Sequence, residues 1–329
     1  MEICPVCSGE DFSIAVISSV IQRECEFREQ LIERRVSHPL SSSEKKDLTD
    51  FFHSANAEIL VCAQCSLLIR HELEAAAAET YSEDQYDPQA IEPVYPRYLS
   101  AFRAKERLYR SLLPSGARVL EIGSHNGAFL KTAGEWGWQA EGIDIGEDTS
   151  RFARSKGFLV HNKQMADCDM PASSRDAVFI WNCFEQMPDP ACTLQEAHRI
   201  LKPGGLLVVR TPNGLFYSMC HLLLGENGLR PGARELLLNA MAYNNLLGFP
   251  YLYGHQRSTL NRLIERFGFS FEDGLNSELL TLPLPDRPDW VEHQEQAVND
   301  NVRLLARSIL ADSKGVLTGP WIEVWHRRV

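Results

Sequence analysis

Arg118-Val119-Leu120-Glu121-Ile122-Gly123-Ser124-His125-Asn126-Gly127 is the stretch that decides the fold of this chain. Its opening is a short β-branched and apolar run that stops at a glycine, the pattern of a strand ending in a turn. Ala128 to Trp136 then reads as a helix, closed by Gly137. A strand that enters a helix through a glycine-bearing turn is a general ligand platform. Glycine lets the backbone come close to a ligand, and the helix N-terminus offers unpaired N–H groups. Glu121 stands near the strand end, placed to meet a cationic group.

The pattern continues downstream. Ala140 to Ile145 reads as a second strand, and Asp148 as the cap of a helix from Thr149 to Lys156 that ends at Gly157. Further strands are expected at Phe158 to His161, Asp176 to Asn182 and Leu206 to Arg210. A helix from Thr193 to Leu201 is stopped by Lys202-Pro203-Gly204-Gly205. Continuous apolar strands alternating with helices predict an α/β fold with a parallel sheet covered on both faces. After Pro212 the rhythm breaks, and residues 213–250 read as a helical insertion. Helices at Thr259 to Phe267 and Trp290 to Ala311, with strands at Phe269 to Asp273 and Trp321 to Arg327, complete the region. Three parts are therefore expected: a cysteine-pair module (1–74), a connector that becomes helical from Phe102 to Leu113 (75–115), and the α/β domain (116–329).

Asp144, in Glu141-Gly142-Ile143-Asp144-Ile145, is an acid about 20 residues after a glycine turn, the usual ribose-hydroxyl ligand of nucleotide-binding α/β folds. The dinucleotide fingerprint needs glycine at its third position, where backbone approaches a pyrophosphate. Here that position is His125, which argues against a nicotinamide dinucleotide.

Nine cysteines, an odd number, do not suggest a disulfide framework. Five are scattered, but Cys4-Pro5-Val6-Cys7 and Cys62-Ala63-Gln64-Cys65 form two C-x2-C knuckles. Together they supply the four soft ligands of a closed, structural zinc site. The 54 residues between them do not forbid it, because loop-closure entropy grows slowly with length. Sites using Cys25, His38 or His53, or a module without metal, are the competing readings.

The formal net charge of −11 disfavours a phosphate-backbone partner and leaves a small molecule as the expected one. No apolar run approaches a membrane span, and Met-Glu-Ile-Cys-Pro-Val-Cys has neither a basic start nor an apolar core. A cytoplasmic protein is expected.

From Val119 onward the chain resembles the class I S-adenosylmethionine-dependent methyltransferases, in particular bacterial ones that carry a preceding cysteine module. The segments that carry the resemblance are Val119 to Gly123, Glu141 to Asp144, Phe184-Glu185-Gln186-Met187-Pro188-Asp189-Pro190, Leu201 to Leu206 and Thr211-Pro212-Asn213. The resemblance implies a Rossmann-like sheet of seven strands, the last antiparallel, with S-adenosylmethionine over the strand ends. By position, Glu121, Gly123, Ser124, His125 and Gly127 would surround its methionine part. Asp144, followed by Ile145, would hold the ribose, and Asn182 and Cys183 would lie beside the sulfonium. The chain departs from the common pattern at His125, at Gln186 in place of a histidine, and after the third strand. There Asn162, Lys163 and Gln164 offer no acid for the adenine.

The resemblance implies methyl transfer to a small molecule, such as a sugar nucleotide, glycan precursor or secondary metabolite. If the acceptor is a hydroxyl or an acidic carbon, a base helps. His255, in Tyr253-Gly254-His255-Gln256 after the insertion, is the candidate, against a capping or surface histidine as the plain alternative. An RNA methyltransferase with the cysteine module as reader, or a non-catalytic cofactor-binding scaffold, are the other readings. The oligomeric state is not legible.

Overall fold

The structure is a computed structural model. It describes residues 3–35, 39–42, 45–46, 57–71, 88–225, 230–246, 251–277, 289–310 and 319–329. His38 and His53, named above as alternative ligands, lie outside the described residues.

The chain begins with β1 (Phe12–Val16), α1 (Ser18–Arg35), β2 (Ile59–Cys62) and β3 (Leu68–Arg70). Then come α2 (Pro88–Arg103), α3 (Glu106–Tyr109), β4 (Arg118–Ile122), α4 (Ala128–Glu135), β5 (Gln139–Ile143), α5 (Glu147–Ser155) and β6 (Val160–His161). β7 (Arg175–Trp181), α6 (Pro190–Ile200) and β8 (Leu201–Pro212) follow. The remainder is α7 (Gly214–Gly225), α8 (Pro231–Tyr243), β9 (Tyr253–Gly254), α9 (Arg257–Glu265), β10 (Phe269–Ser277), α10 (Asp289–Leu310) and β11 (Trp321–Arg328).

Two compact units divide these elements. The first comprises residues Met1–Ala77, Pro212–Leu260 and Leu275–Ile322; the second comprises Ala78–Thr211, Asn261–Gly274 and Glu323–Val329.

The second unit is built on a seven-stranded mixed sheet in the order β10-β11-β8-β7-β4-β5-β6. β4 pairs parallel with β5 and β7, β5 with β6, and β7 with β8. The seven strands of the expected Rossmann-like fold are present. Ala177, Val178, Phe179 and Ile180 in β7 are all fully buried, as a strand covered on both faces requires. Strand order reverses between β4 and β7, the switch point at which α/β sheets bind ligands beyond the strand C-termini.

Several local expectations change. β8 begins directly at Leu201, so Lys202-Pro203-Gly204-Gly205 lies within the strand rather than between helix and strand. α2 starts well before Phe102 and runs through Pro93 and Pro96, residues that normally break a helix. Packing outweighs that penalty: Ile91 is buried, Tyr95 meets Phe152 edge-on at 5.5 Å, and Phe102 meets Phe129 at 5.4 Å. The cap of α5 is Gly146 rather than Asp148, which sits in the first turn and pairs with Arg151. The side chain that serves this helix start is Asp144, which accepts from Gly146 N–H at 2.9 Å and from the Thr149 hydroxyl at 3.0 Å.

The first unit contains a four-stranded sheet, β1-β2-β3-β9, in which all three pairings are antiparallel. Its core joins Ile21, Cys25 and Leu31 of α1 to Phe216, Tyr217, Leu237 and Met241 of the helical insertion. The Glu24 carboxylate accepts the Tyr217 hydroxyl at 2.8 Å and lies 2.6 Å from His221 Nε2. Phe216, Tyr217 and Leu237 of the insertion are thus core, with Leu222 left exposed. No helix of the described residues is long and apolar enough to cross a membrane.

Candidate functional site

The loop leaving β4 is shaped by its backbone. Gly123 and Ser124 donate their N–H groups to the Ile143 carbonyl at 2.8 and 3.0 Å, and Gly127 donates to Ser124 at 2.8 Å. Gly123 has φ +75°, and a Cβ there would lie 2.5 Å from Cys183 Sγ. Both the conformation and the space demand glycine. Gly142 in β5 is required for a different reason: a Cβ there would meet Ser124 Oγ at 2.4 Å. His125 also adopts a left-handed conformation, φ +45°, and its ring lies 5.4 Å from that of Tyr98.

Asp144 follows β5 directly and faces this loop. Besides Gly146 and Thr149, it accepts the His125 N–H at 2.6 Å. Asn162, one of the residues found where an acid was sought, instead donates to the carbonyls of Asp144, Ile145 and Gly146. Ile145 presents a half-exposed apolar side chain beside them.

Glu121 is 3% exposed, and its Oε2 has no hydrogen-bond partner among the described residues. Burial, reinforced by the Asp144 charge, pushes its carboxyl well above the ordinary range. Ser124 Oγ and Asn126 Nδ2 are likewise buried without a partner among the described residues, although Asn126 Oδ1 caps Ala128 N–H at 3.1 Å. Asn182 follows β7 with φ +57°. Cys183 Sγ lies 3.3 Å from the Ile122 carbonyl, and burial pushes the thiol up, aided by the Glu185, Asp144 and Glu121 charges. For His125, burial lowers the imidazole pKa and the Asp144 charge opposes it. Thus Glu121 lies near the C-terminal end of β4, and Gly123, Ser124, His125, Gly127, Asp144, Ile145, Asn182 and Cys183 lie in the loops that follow β4, β5 and β7.

Sequence reasoning passed over Asn126 and Glu185. Glu185 is fully buried, and burial raises its carboxyl to about 8. Its place in the Phe184 to Pro190 segment was a signal, but nothing in the sequence showed the burial. His255 lies in the first unit. It is fully buried, its ring 5.9 Å from that of Tyr253, and burial lowers its pKa to about 3.

The four knuckle cysteines, also in the first unit, converge: Cys4, Cys7, Cys62 and Cys65 place their sulfurs within 4.8 Å of one another. Cys4 and Cys65 are 3.5 Å apart, as are Cys7 and Cys62. The sulfurs of a tetrahedral zinc–thiolate centre are separated by about 3.8 Å, so the set fits that ion. Both knuckles turn alike. Ser8 N–H bonds to the Cys4 carbonyl and Ser66 N–H to that of Cys62, with φ +61° and +63° at the two serines. Burial favours the neutral Cys62 thiol, yet N–H donors from Cys65 and Gln64, with Cys7, bring it down to about 7, ready to be a thiolate ligand. Cys25 is instead part of the apolar core.

Comparisons with known proteins give the family. A family model described as a methyltransferase domain matches residues 95–273, more than half of the chain. The chain belongs to that methyltransferase-domain family. A ubiquinone biosynthesis O-methyltransferase of Xanthomonas axonopodis pv. citri is 31% identical over 131 residues, 38% of this chain and 51% of that protein. One from Pseudomonas aeruginosa is 33% identical over 108 residues, 30% of this chain and 46% of that protein. The chain spans about half the length of these curated relatives. Among solved structures, an S-adenosylmethionine-dependent methyltransferase from Mesorhizobium loti superposes with a TM-score of 0.45 at 18% identity, covering 68% of this chain and 98% of that one.

Proposed function

We propose that this chain is an S-adenosylmethionine-dependent methyltransferase acting on a small-molecule acceptor. The observation that carries the reading is the orphaned Glu121 carboxylate oxygen, buried beside Asp144 at the end of β4. An unpartnered buried acid with a second acid near it is costly unless a cation arrives. The amino group and sulfonium of S-adenosylmethionine are such cations, and its ribose hydroxyls suit Asp144. Ser124 Oγ and Asn126 Nδ2 are further unpartnered groups that a polar ligand would satisfy.

The cofactor supplies an activated methyl group when bound. Glu121, Gly123, Ser124, His125 and Gly127 would hold its methionine end, with Asn182 and Cys183 beside the sulfonium. Asp144 and Ile145 would hold the nucleoside. His255 is the proposed proton acceptor for a hydroxyl acceptor; burial lowers its pKa to about 3, which keeps the ring neutral but makes it a weak base. The ubiquinone-biosynthesis names of the relatives and the net charge of −11 support a small-molecule acceptor over a nucleic acid. Cys4, Cys7, Cys62 and Cys65 would hold one structural zinc.

Calorimetry with S-adenosylmethionine and with its demethylated product tests the reading. Saturable binding of one or both is expected; binding of neither sinks it.

A further inference from the structure

Glu323 is an acid inside an otherwise apolar strand. In β11 it is fully buried, beside the equally buried Ile322 and Val324. Its carboxylate accepts Lys105 Nζ, Arg210 Nε at 3.1 Å and the Tyr109 hydroxyl. Burial pushes this carboxyl up, but the Lys105 and Arg210 charges outweigh it and hold the group below its usual range. Packed apolar residues stabilise a core as well as a buried ion cluster does, or better. Stability alone therefore does not account for the cluster.

The cluster reaches the candidate site. Arg210, in β8, donates Nη1 to the Asn182 side-chain oxygen, and its carbonyl accepts the Asn182 N–H at 3.1 Å. Asn182 sits just past β7 with φ +57°, a strained conformation for most side chains. Its neighbour Cys183 fills the space that the missing Gly123 side chain leaves open. The turn after β7 and the loop after β4 therefore cannot move independently.

We propose that Arg210, anchored by Glu323, is a positioning residue that fixes the Asn182–Cys183 turn against the Gly123 loop and so sets how the methyl donor is held. The second half of this inference rests on the functional reading above; the first half does not. Arg210→Met and Asn182→Gly separate the two. Asn182→Gly suits the left-handed backbone while removing the amide.

In ligand-free protein, the Gln186 and Met187 amides bond to the Cys183 and Phe184 carbonyls. Their hydrogen exchange should quicken by about tenfold in both variants, with the β5 amides unchanged. Each variant should weaken S-adenosylmethionine binding about tenfold, and the double variant no more than the weaker single, because both break one linkage. Effects that multiply to about a hundredfold in the double variant, or exchange unchanged in both single variants, overturn the proposal. If Arg210→Met does not fold, Arg210→Lys takes its place: it keeps the charge beside Glu323 but lacks the fork that spans both partners. If the unaltered protein binds neither S-adenosylmethionine nor its product, the functional reading fails, and the exchange rates alone decide whether Arg210 positions the turn.

Discussion

The Asp144 carboxylate accepts the His125 backbone N–H at 2.6 Å, which ties the end of β5 to the loop leaving β4. One acid thus orders the loop, and in the proposed reading it also holds the ribose. Asp144→Ala removes both roles. Hydrogen bonds to a charged group contribute about 1.5–3 kcal/mol each. The variant should lose at least about tenfold in S-adenosylmethionine affinity, with a lowered unfolding midpoint. Asp144→Asn, which keeps an acceptor, should fall between the two. Unchanged affinity in the alanine variant, measured by calorimetry, would remove Asp144 from the cofactor site.

Gly123→Ala introduces two penalties. The positive φ costs about 1–2 kcal/mol for an L-residue, and the new Cβ overlaps Cys183 Sγ. Denaturant unfolding should show a loss of about 2–4 kcal/mol. Adding Cys183→Ala should recover most of the steric share, since only the 3.1 Å approach to the Cβ at 183 remains, and leave the backbone share. No recovery in the double variant would show that the close approach at Cys183 is not the source of strain.

The knuckles should carry about one zinc per chain, as a closed four-thiolate set does. Metal analysis of protein purified without added metal checks this. Cys62→Ser should lose the ion and destabilise the first unit, where β2 and β3 are joined by that knuckle. A fully folded Cys62→Ser variant with an unaltered unfolding midpoint would rule out a structural metal.

Two histidines make stability depend on pH. Burial lowers His255 to about 3 and His326 to about 4. In the unfolded chain both titrate near 6.5. Between those values the unfolded state binds protons that the folded state refuses, so stability is full above about pH 6.5 and falls as pH drops. The slope approaches about 1.4 kcal/mol per pH unit for each histidine well below pH 6.5. His255→Gln and His326→Gln should each flatten the unfolding midpoint between pH 6 and 4.5. A slope identical to that of the unaltered protein would show that neither histidine drives acid unfolding.

Much of the fold was legible from local signals. The run Val119 to Gly123 and the following helix could be placed because the strand is continuously apolar and ends at a residue able to take a positive φ. The place of an acid, Asp144, just after β5 was legible through its spacing from Gly123. The edges of elements were not. α2 runs through two prolines because Tyr95, Tyr98 and Phe102 find aromatic partners far along the chain. Nor could the sequence show Arg210 and Glu323 meeting, since 113 residues separate them.

What the sequence determined by itself was the alternation of strands and helices from Arg118 to Arg210, the glycine loop with its two acids, and the grouping of four cysteines into two knuckles. These follow from periodicity, backbone permissiveness and ligand spacing, all of which act over a few residues. Tertiary structure alone decided the rest. It left Glu121 Oε2 buried without a partner, spent the Asp144 oxygens partly on its own loop, and brought the insertion and α1 into one core. The physical reason is that burial and charge compensation depend on which distant segments arrive at a point. Only the folded chain fixes those arrivals.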